Sequence, residues 1–405
     1  MQFGQIGVRG LSDAASEVSR VPGARVIFLL AVAAFTSSAT MRVADAMLPE
    51  LARTYSATLP EVARVISYYS IAYGFMQLIL GAIGDRYGKF LVITVAVCVS
   101  CAGCLAGALA MSLDQLVLAR VLTGCAAAGI IPVSLAWIGD RVPYAQRQVT
   151  LARLASGTTL GITGGQVMGG VFVDTTGWRG GFVLLSVLFC IAGLLLLREL
   201  RRQPAVAEVR GASFVSRIQL VLSSPWARVV LFCSAAEAAM VFAVLALTPT
   251  YLQAQLNMSS SVSGGIIAVF GLGALSYTLV ARHMVPWLGE ARLVLFGCSI
   301  LGAGLFILGT TESGLIAALV CLIAGFGFYM LHNTLQTNAT QLAPEARGTS
   351  VALFATLIFM GQAGGVSLGA WMVEHVGPRS VIFSSAAALI LLGLGFSLAL
   401  RRRHR

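Results

Sequence analysis

Apolar residues run through this chain in long blocks, and polar residues punctuate them at nearly regular intervals. Twelve apolar segments can be marked, at about 26–47, 64–84, 91–111, 116–138, 151–173, 181–198, 227–249, 263–281, 293–311, 314–336, 350–373 and 380–399. Each lies near the ~20 residues that a helix needs to cross ~30 Å of hydrocarbon. The connections are short except for residues 199–224, which are charged, are interrupted by Pro204 and Gly211, and divide six segments from six. The pattern predicts an all-α integral membrane protein, with 12 transmembrane helices in two pseudo-symmetric six-helix bundles. Its expected parts are a tail over 1–25, a first bundle over 26–198, a linker over 199–224, a second bundle over 225–400 and a basic tail over 401–405.

The two halves are related. A shift of 200 positions superposes Arg147 on Arg347, Gly161 on Gly361, Gly164 on Gly364, Gly165 on Gly365 and Gly169 on Gly369. It also pairs Asp174 with Glu374, Gly177 with Gly377 and Arg179 with Arg379. The fifth and eleventh segments are one pattern written twice, as in transporters that build a central site between internal repeats.

Composition agrees with the pattern. The 405 residues are 58% hydrophobic and only 11% charged, with a mean hydropathy of +0.87, against roughly 25% charged in soluble domains. A net charge of +11 and a pI near 9.7 would suggest nucleic acid in a soluble protein, but here position decides. Of 27 basic residues, 21 fall on one set of loops and termini, from Arg9 and Arg20 through Arg210 to Arg405, and only Arg53, Arg64, Arg179 and Arg379 on the other. That asymmetry predicts cytoplasmic termini and no nucleic-acid partner. The eight cysteines lie within apolar runs and make no metal spacing with His, so they read as small buried hydrophobes. Residues 1–24 lack the layout of a signal peptide. A bacterial inner-membrane protein, monomeric in the bilayer, is the expectation.

One polar interruption carries more than topology. Residues 81–90, GAIGDRYGKF, place Gly81, Gly84 and Gly88 beside Asp85, Arg86 and Lys89 in an expected short surface loop. Glycines allow close backbone approach, and both signs of charge suit a latch between moving helices. The stretch resembles the signature between helices 2 and 3 of the major facilitator superfamily of secondary transporters, with Ile83 in the usual Leu place and Phe90 where a second basic residue is common. The resemblance implies alternating access, a small-molecule substrate, no cofactor and H+ as coupling ion. Asp140, Pro143 and Arg147 look like a further surface signature of the family. The resemblance implies that Asp85 pairs across the loops with a basic residue there and approaches the N-terminal end of the eleventh helix, whose dipole favours an acid.

Charged groups inside apolar segments are the candidate chemistry. Arg120 stands a few residues into the fourth segment, where a guanidinium is costly and needs an interior partner. The spacing Leu-x-x-x-Arg-x-x-Thr-Gly around it is similar to the family's helix 4 motif, whose Arg is linked to proton coupling; snorkelling to the outer interface is the alternative. Arg42 and Asp45, three apart, share a helix face. Asp45 and Pro49 look like the outer end of helix 1 in proton-coupled multidrug antiporters, although an interfacial salt bridge would need no more. Glu237 lies near the middle of the seventh segment, where a carboxyl group removed from water suits taking up and releasing a proton; a structural hydrogen-bond donor is the competing reading.

Gly161, Gly165, Gly169 and Gly170 match much of the helix 5 signature of drug exporters, but Ala152 replaces its first Gly and Gln166 its Pro. Export rests on that imperfect match. Tyr69, Tyr73 and Gln77, then His332, Asn333 and Gln336, and finally Gln362 supply further polar groups at membrane depth, with Arg42 and Gln166 as additional cavity candidates. Proton-coupled export of a drug, siderophore or sugar is the leading expectation, and proton-coupled uptake of a metabolite is the alternative. An integral-membrane enzyme or receptor finds no support, because the chain has no HExxH, phosphate-binding loop or nucleophile motif.

Overall fold

A computed structural model describes residues 23–202 and 214–403. Most of the expected N-terminal tail, the centre of the linker and residues 404–405 lie outside the described residues, and so do Arg9, Arg20, Arg210 and Arg405. Among the described residues all regular structure is helical.

The first half comprises α1 (Ala24–Arg42), a 3-10 turn at Asp45–Met47, α2 (Leu48–Tyr55), α3 (Leu59–Tyr87), α4 (Lys89–Ala108), α5 (Leu113–Ala127), α6 (Ile131–Arg141), α7 (Tyr144–Asp174) and α8 (Trp178–Leu200). The second comprises α9 (Phe214–Ser223), α10 (Pro225–Leu256), α11 (Ser260–Thr310), α12 (Gly314–Ala339), α13 (Arg347–His375) and α14 (Ser380–Arg403). Ten stretches of the described residues are long and apolar enough to cross a bilayer. Counting α11 twice, because Gly289 breaks its 51 residues into two crossings, and adding the more polar α7 makes the expected twelve.

Local chemistry sets the helix starts. Thr58 and Glu61 form a reciprocal capping box at the head of α3, and Ser112, Ser224, Ser259 and Ser313 cap α5, α10, α11 and α12 through their side chains. Pro49 cannot donate a helical hydrogen bond and its ring collides with the carbonyl four residues earlier. Helix α1 accordingly gives way to the 3-10 turn that begins at Asp45.

Some expected boundaries are corrected. Residues 81–90 are not a loop: α3 continues to Tyr87 and α4 begins at Lys89, so Asp85 and Arg86 ride the last turn of α3 and only Gly88 turns the chain. The expected linker contains helix α9. The gap between the eighth and ninth segments is helical apart from Gly289.

The repeat extends to backbone geometry. Every described residue with positive φ has a mate in the other half: Ser56 with Asn257, Gly88 with Gly289 and Gly177 with Gly377, 200 or 201 positions apart. Such conformations exclude most side chains, so the same turns are specified twice. Packing repeats too. A β-carbon on Gly161 or Gly165 would strike the carbonyls of Phe35 or Ala39 on α1, and one on Gly361 or Gly365 those of Ala235 or Ala239 on α10. The α1–α7 and α10–α13 pairs are one close backbone contact made in each bundle.

Candidate functional site

Two buried charge clusters lie at different depths. Residue Glu237 is twelve residues from the start of α10, roughly 18 Å at ~1.5 Å per residue, whereas Asp45 is some 31 Å from the start of α1 by the same rise.

The shallower cluster surrounds the break after α1. Arg42 reaches Asp45 Oδ2 at 3.5 Å, with both side chains almost fully buried. Its guanidinium also covers the ring of Phe242 on α10, 4.3 Å from the centroid. Gln166 of α7 lies beside the same carboxyl. A Pro at position 166 could not supply that amide, so the departure from the exporter signature places a hydrogen-bonding group against Asp45.

Arg120 is 1% exposed and does not snorkel. It donates from Nη1 to Thr40 O at 2.9 Å and from Nε to Val65 O at 3.2 Å, and its guanidinium carbon stands 4.0 Å from the Tyr69 ring centroid. Its direct partners are thus two carbonyls and a π face, and it staples α5 to α1 and α3. The matching position 201 residues on is Cys321, which faces a small apolar void with Val241, Leu245, Phe270 and Ala324. The repeat therefore carries a fixed charge at this place in one half only.

The deeper cluster joins two residues that the sequence suggests separately. Glu237 Oε2 lies 3.1 Å from His332 Nδ1 on α12, with the carboxyl side chain 1% and the imidazole 16% exposed. Phe328 stacks on the imidazole at 5.1 Å, and Tyr329 and Phe354 flank it. Glu237 Oε1, Asp45 Oδ1, Arg42 Nε, Arg120 Nη2 and Tyr69 Oη are buried without hydrogen-bond partners among the described residues. Buried polar atoms are rarely left so; the carboxyl oxygens can still accept a hydrogen bond, the guanidinium nitrogens can still donate one, and the Tyr69 hydroxyl can do either. Asn333 lies beside Tyr277 on α11, and Gln336 is exposed away from this cluster.

Contacts between the halves crowd the end away from the chain termini. On one side α3 meets α13: Ser367 donates to Ser67 at 2.9 Å, Gln362 to Ser70 at 2.9 Å, Thr356 to Gly74 O at 3.0 Å and Gln77 to Thr356 at 3.3 Å, while Tyr73 stacks on Phe359 at 4.3 Å. On the other side α7 meets α11. Gly170 seats the backbone of Ser260, and Asp174 accepts from the backbone N–H groups of Ser260 at 3.2 Å and Ser261 at 2.7 Å. Gln253 donates to Ala46 O at 3.3 Å between them. Gly169 packs against the backbone of Val43, the residue that follows α1. Toward the terminal end, Gly81 on α3 and Gly348 on α13 have open space where a β-carbon would sit.

The expected latch takes a different form. Lys89 bridges Asp85 at 2.9 Å and Asp140 on α6, so the acid pairs with the first residue of α4, and the basic residue that reaches α6 is Lys89. Arg147 instead donates to Val142 O at 3.3 Å, and Arg86 lies over the Tyr87 ring. Asp85 is exposed at the open end.

Sequence reasoning missed Ser67, Ser70, Thr356 and Ser367, and also Phe242 and Gln253. A signal existed for the first: Ser67, Ser70, Gly74 and Gln77 repeat at helical spacing and write a small-polar stripe along one face of α3.

Comparison with known proteins gives a consistent picture. The sequence profile described as Major Facilitator Superfamily matches residues 30–366. An MFS-type transporter of Bacillus subtilis (strain 168), YwfA, is 23% identical over 388 residues, covering 91% of this chain and 90% of its own. Multidrug resistance protein 1 of the same organism is 20% identical over 352 residues, covering 83% and 86%. Among solved structures, a bacterial homolog of the human lysosomal transporter Spinster, in an inward-facing and unoccupied conformation, superposes with a TM-score of 0.77 at 17% identity, covering 93% of this chain and 96% of that one.

Proposed function

The chain belongs to the Major Facilitator Superfamily, and on that premise we propose that it exports a small organic molecule across a bacterial inner membrane in exchange for protons. The Glu237–His332 contact carries this reading. A carboxyl group and an imidazole at hydrogen-bond distance can hold one proton between them, and at this depth a net charge is costly. Loading and unloading that proton changes the charge at mid-depth, which biases which end of the molecule opens.

The charge asymmetry of the loops supports placing both termini in the cytoplasm. The end where the halves meet then faces outward, and the end where Gly81 and Gly348 have open space faces inward, where a cytoplasmic compound would enter. The helix 5 glycines and the multidrug resistance relative support outward transport.

Reconstitution into liposomes with a luminal pH-sensitive dye and a panel of amphipathic drugs, siderophores and sugars tests the proposal. A substrate entering the vesicle by exchange alkalinises the lumen; a substrate entering with protons acidifies it and reverses the assignment to uptake. A transported compound that moves no protons in either direction removes the coupling.

A further inference from the structure

Arg42 and Phe242 occupy matching positions, 200 residues apart, in the two halves of the repeat. They also touch across the boundary between the halves, guanidinium carbon to ring centroid at 4.3 Å. We propose that Phe242 is the positioning residue through which the second six-helix half reads the charge state of the Arg42–Asp45 pair in the first. The inference rests on the proton-coupled reading above and assigns the transmitting contact within it.

The geometry leaves Arg42 few ways to satisfy its charge. It is 1% exposed, Nε has no hydrogen-bond partner, and the contact to Asp45 is a long one at 3.5 Å. The ring face of Phe242 is its other attractive surface. A cation over an aromatic face is held by the ring quadrupole, and more strongly when desolvated.

An ionised Asp45 neutralises the guanidinium, so the ring faces a weak net charge. Once Asp45 is protonated the full charge of Arg42 falls on the ring, and the contact tightens. Phe242 belongs to α10 and Arg42 to α1, so a tighter contact favours the arrangement in which these helices meet, closed at the end away from the termini. The charge of one residue is thereby converted into a preference between two global states.

Arg42 faces Asp45 from its own segment, and Arg120 of α5 acts on it from further off. Gln166 of α7 is polar and does not titrate. Gln253 of α10 is engaged with Ala46 O and receives the Ser260 hydroxyl of α11, while Tyr69 of α3 faces both arginines.

Ring contacts lead from Phe242 to the deeper cluster. Phe242 lies edge-on to Phe328 at 6.3 Å, Phe328 stacks on His332 at 5.1 Å, and His332 meets Glu237. A shift of Phe242 therefore acts on the packing that orients the imidazole. The two proton-binding clusters, one in each half, share one file of rings.

The test uses the full chain in lipid nanodiscs, with spin labels at the outer ends of α3 and α11 and distance distributions recorded from pH 5 to pH 9. Phe242→Leu keeps apolar bulk but removes the π face, Phe242→Met is a second non-aromatic variant in case the first folds poorly, and Phe242→Tyr keeps the face. The wild type should shift its open-to-closed ratio at this end about tenfold across the range, a span within reach of one desolvated cation–π contact. The inference expects less than a twofold shift in the Leu or Met variant and a wild-type response in the Tyr variant. A Leu or Met variant that follows the wild-type curve overturns it, as does a Tyr variant that behaves like Leu. Asp45→Asn separates the two levels. If its response equals that of wild type, the assignment of Asp45 as the titrating group fails; if it is flat while Phe242→Leu is not, only the role of Phe242 fails.

Discussion

Glu237 Oε2 and His332 Nδ1 stand 3.1 Å apart and tie the middle of α10 to α12, while the second carboxyl oxygen of Glu237 remains without a hydrogen-bond partner. One oxygen is oriented and the other is available, the arrangement a group needs if it is to exchange a proton without losing its place.

Replacing Glu237 by Gln keeps the volume and one acceptor but removes the ionisable oxygen. Substrate–substrate exchange across liposomes should persist within about threefold of wild type, because it requires no net proton transfer. Accumulation driven by an imposed pH step should be lost. His332→Asn should weaken accumulation less than the Glu237 change, and the double variant should be no worse than Glu237→Gln alone, since the two act as a unit. Additive losses would show that they act separately.

Arg120 holds three helices through Thr40 O, Val65 O and the Tyr69 face. Hydrogen bonds within membranes average ~0.6 kcal/mol and a desolvated cation–π contact ~2 kcal/mol. Arg120→Lys keeps charge but cannot span two carbonyls and lie flat on a ring, so we expect it to cost about 2 kcal/mol. Thermal unfolding in detergent should register this as a clear fall in Tm. An unchanged Tm would mean that the staple contributes nothing to stability.

Gly165 and Gly365 each meet a carbonyl of the neighbouring helix in the matching place, Ala39 O and Ala239 O. Gly165→Ala and Gly365→Ala should each destabilise by about 1–3 kcal/mol through overpacking. Gly81→Ala meets open space and should be neutral to within about 0.5 kcal/mol. If all three behave alike in a thermal melt, close packing is not what the repeated glycines provide.

These contrasts mark what was legible in the sequence. Periodicity and the register of Gly161, Gly165, Gly169 and their mates expose the repeat directly, because backbone contact excludes every larger residue. Arg120, Asp45 and Glu237 stand out because charge in an apolar run is costly. Phe242 could not be singled out, since one aromatic in an apolar helix reads as packing until the helix facing it is known. The partner of Asp85 differs from the expected one for a related reason. Charges at a surface can choose among several partners, and spacing alone favoured none; the continuation of α3 to Tyr87 puts Asp85 and Lys89 four residues apart on adjoining turns.

Asp85 and Asp140 share Lys89 at the open end. Asp85→Asn leaves the Lys89–Asp140 contact in place, so membrane insertion and Tm should match wild type, as expected for exposed ion pairs worth ~0–1 kcal/mol. Transport should nevertheless slow severalfold if Asp85 engages α13 when this end closes. A wild-type rate in proteoliposomes removes Asp85 from the gating contacts.

Asp174 makes the most direct prediction about the sealed end. A carboxylate at the C-terminus of its own helix is disfavoured by that helix's dipole, yet it sits where both its oxygens receive N–H groups from the head of α11. The acid is therefore matched to the neighbouring helix. Its repeat mate, Glu374, ends α13, but the head of α3 opposite is already capped by Thr58 and Glu61, so the device is built on one side only. Asp174→Ala removes two charge-assisted hydrogen bonds at a solvent-exposed site, about 1 kcal/mol after screening, and should shift the balance between closed and open outer states roughly fivefold toward open. Glu374→Gln should shift nothing. Labelling rates at a single cysteine placed on the face of α7 that meets α11 report the difference, and equal rates in Asp174→Ala and wild type would show that this cap does not hold the end closed.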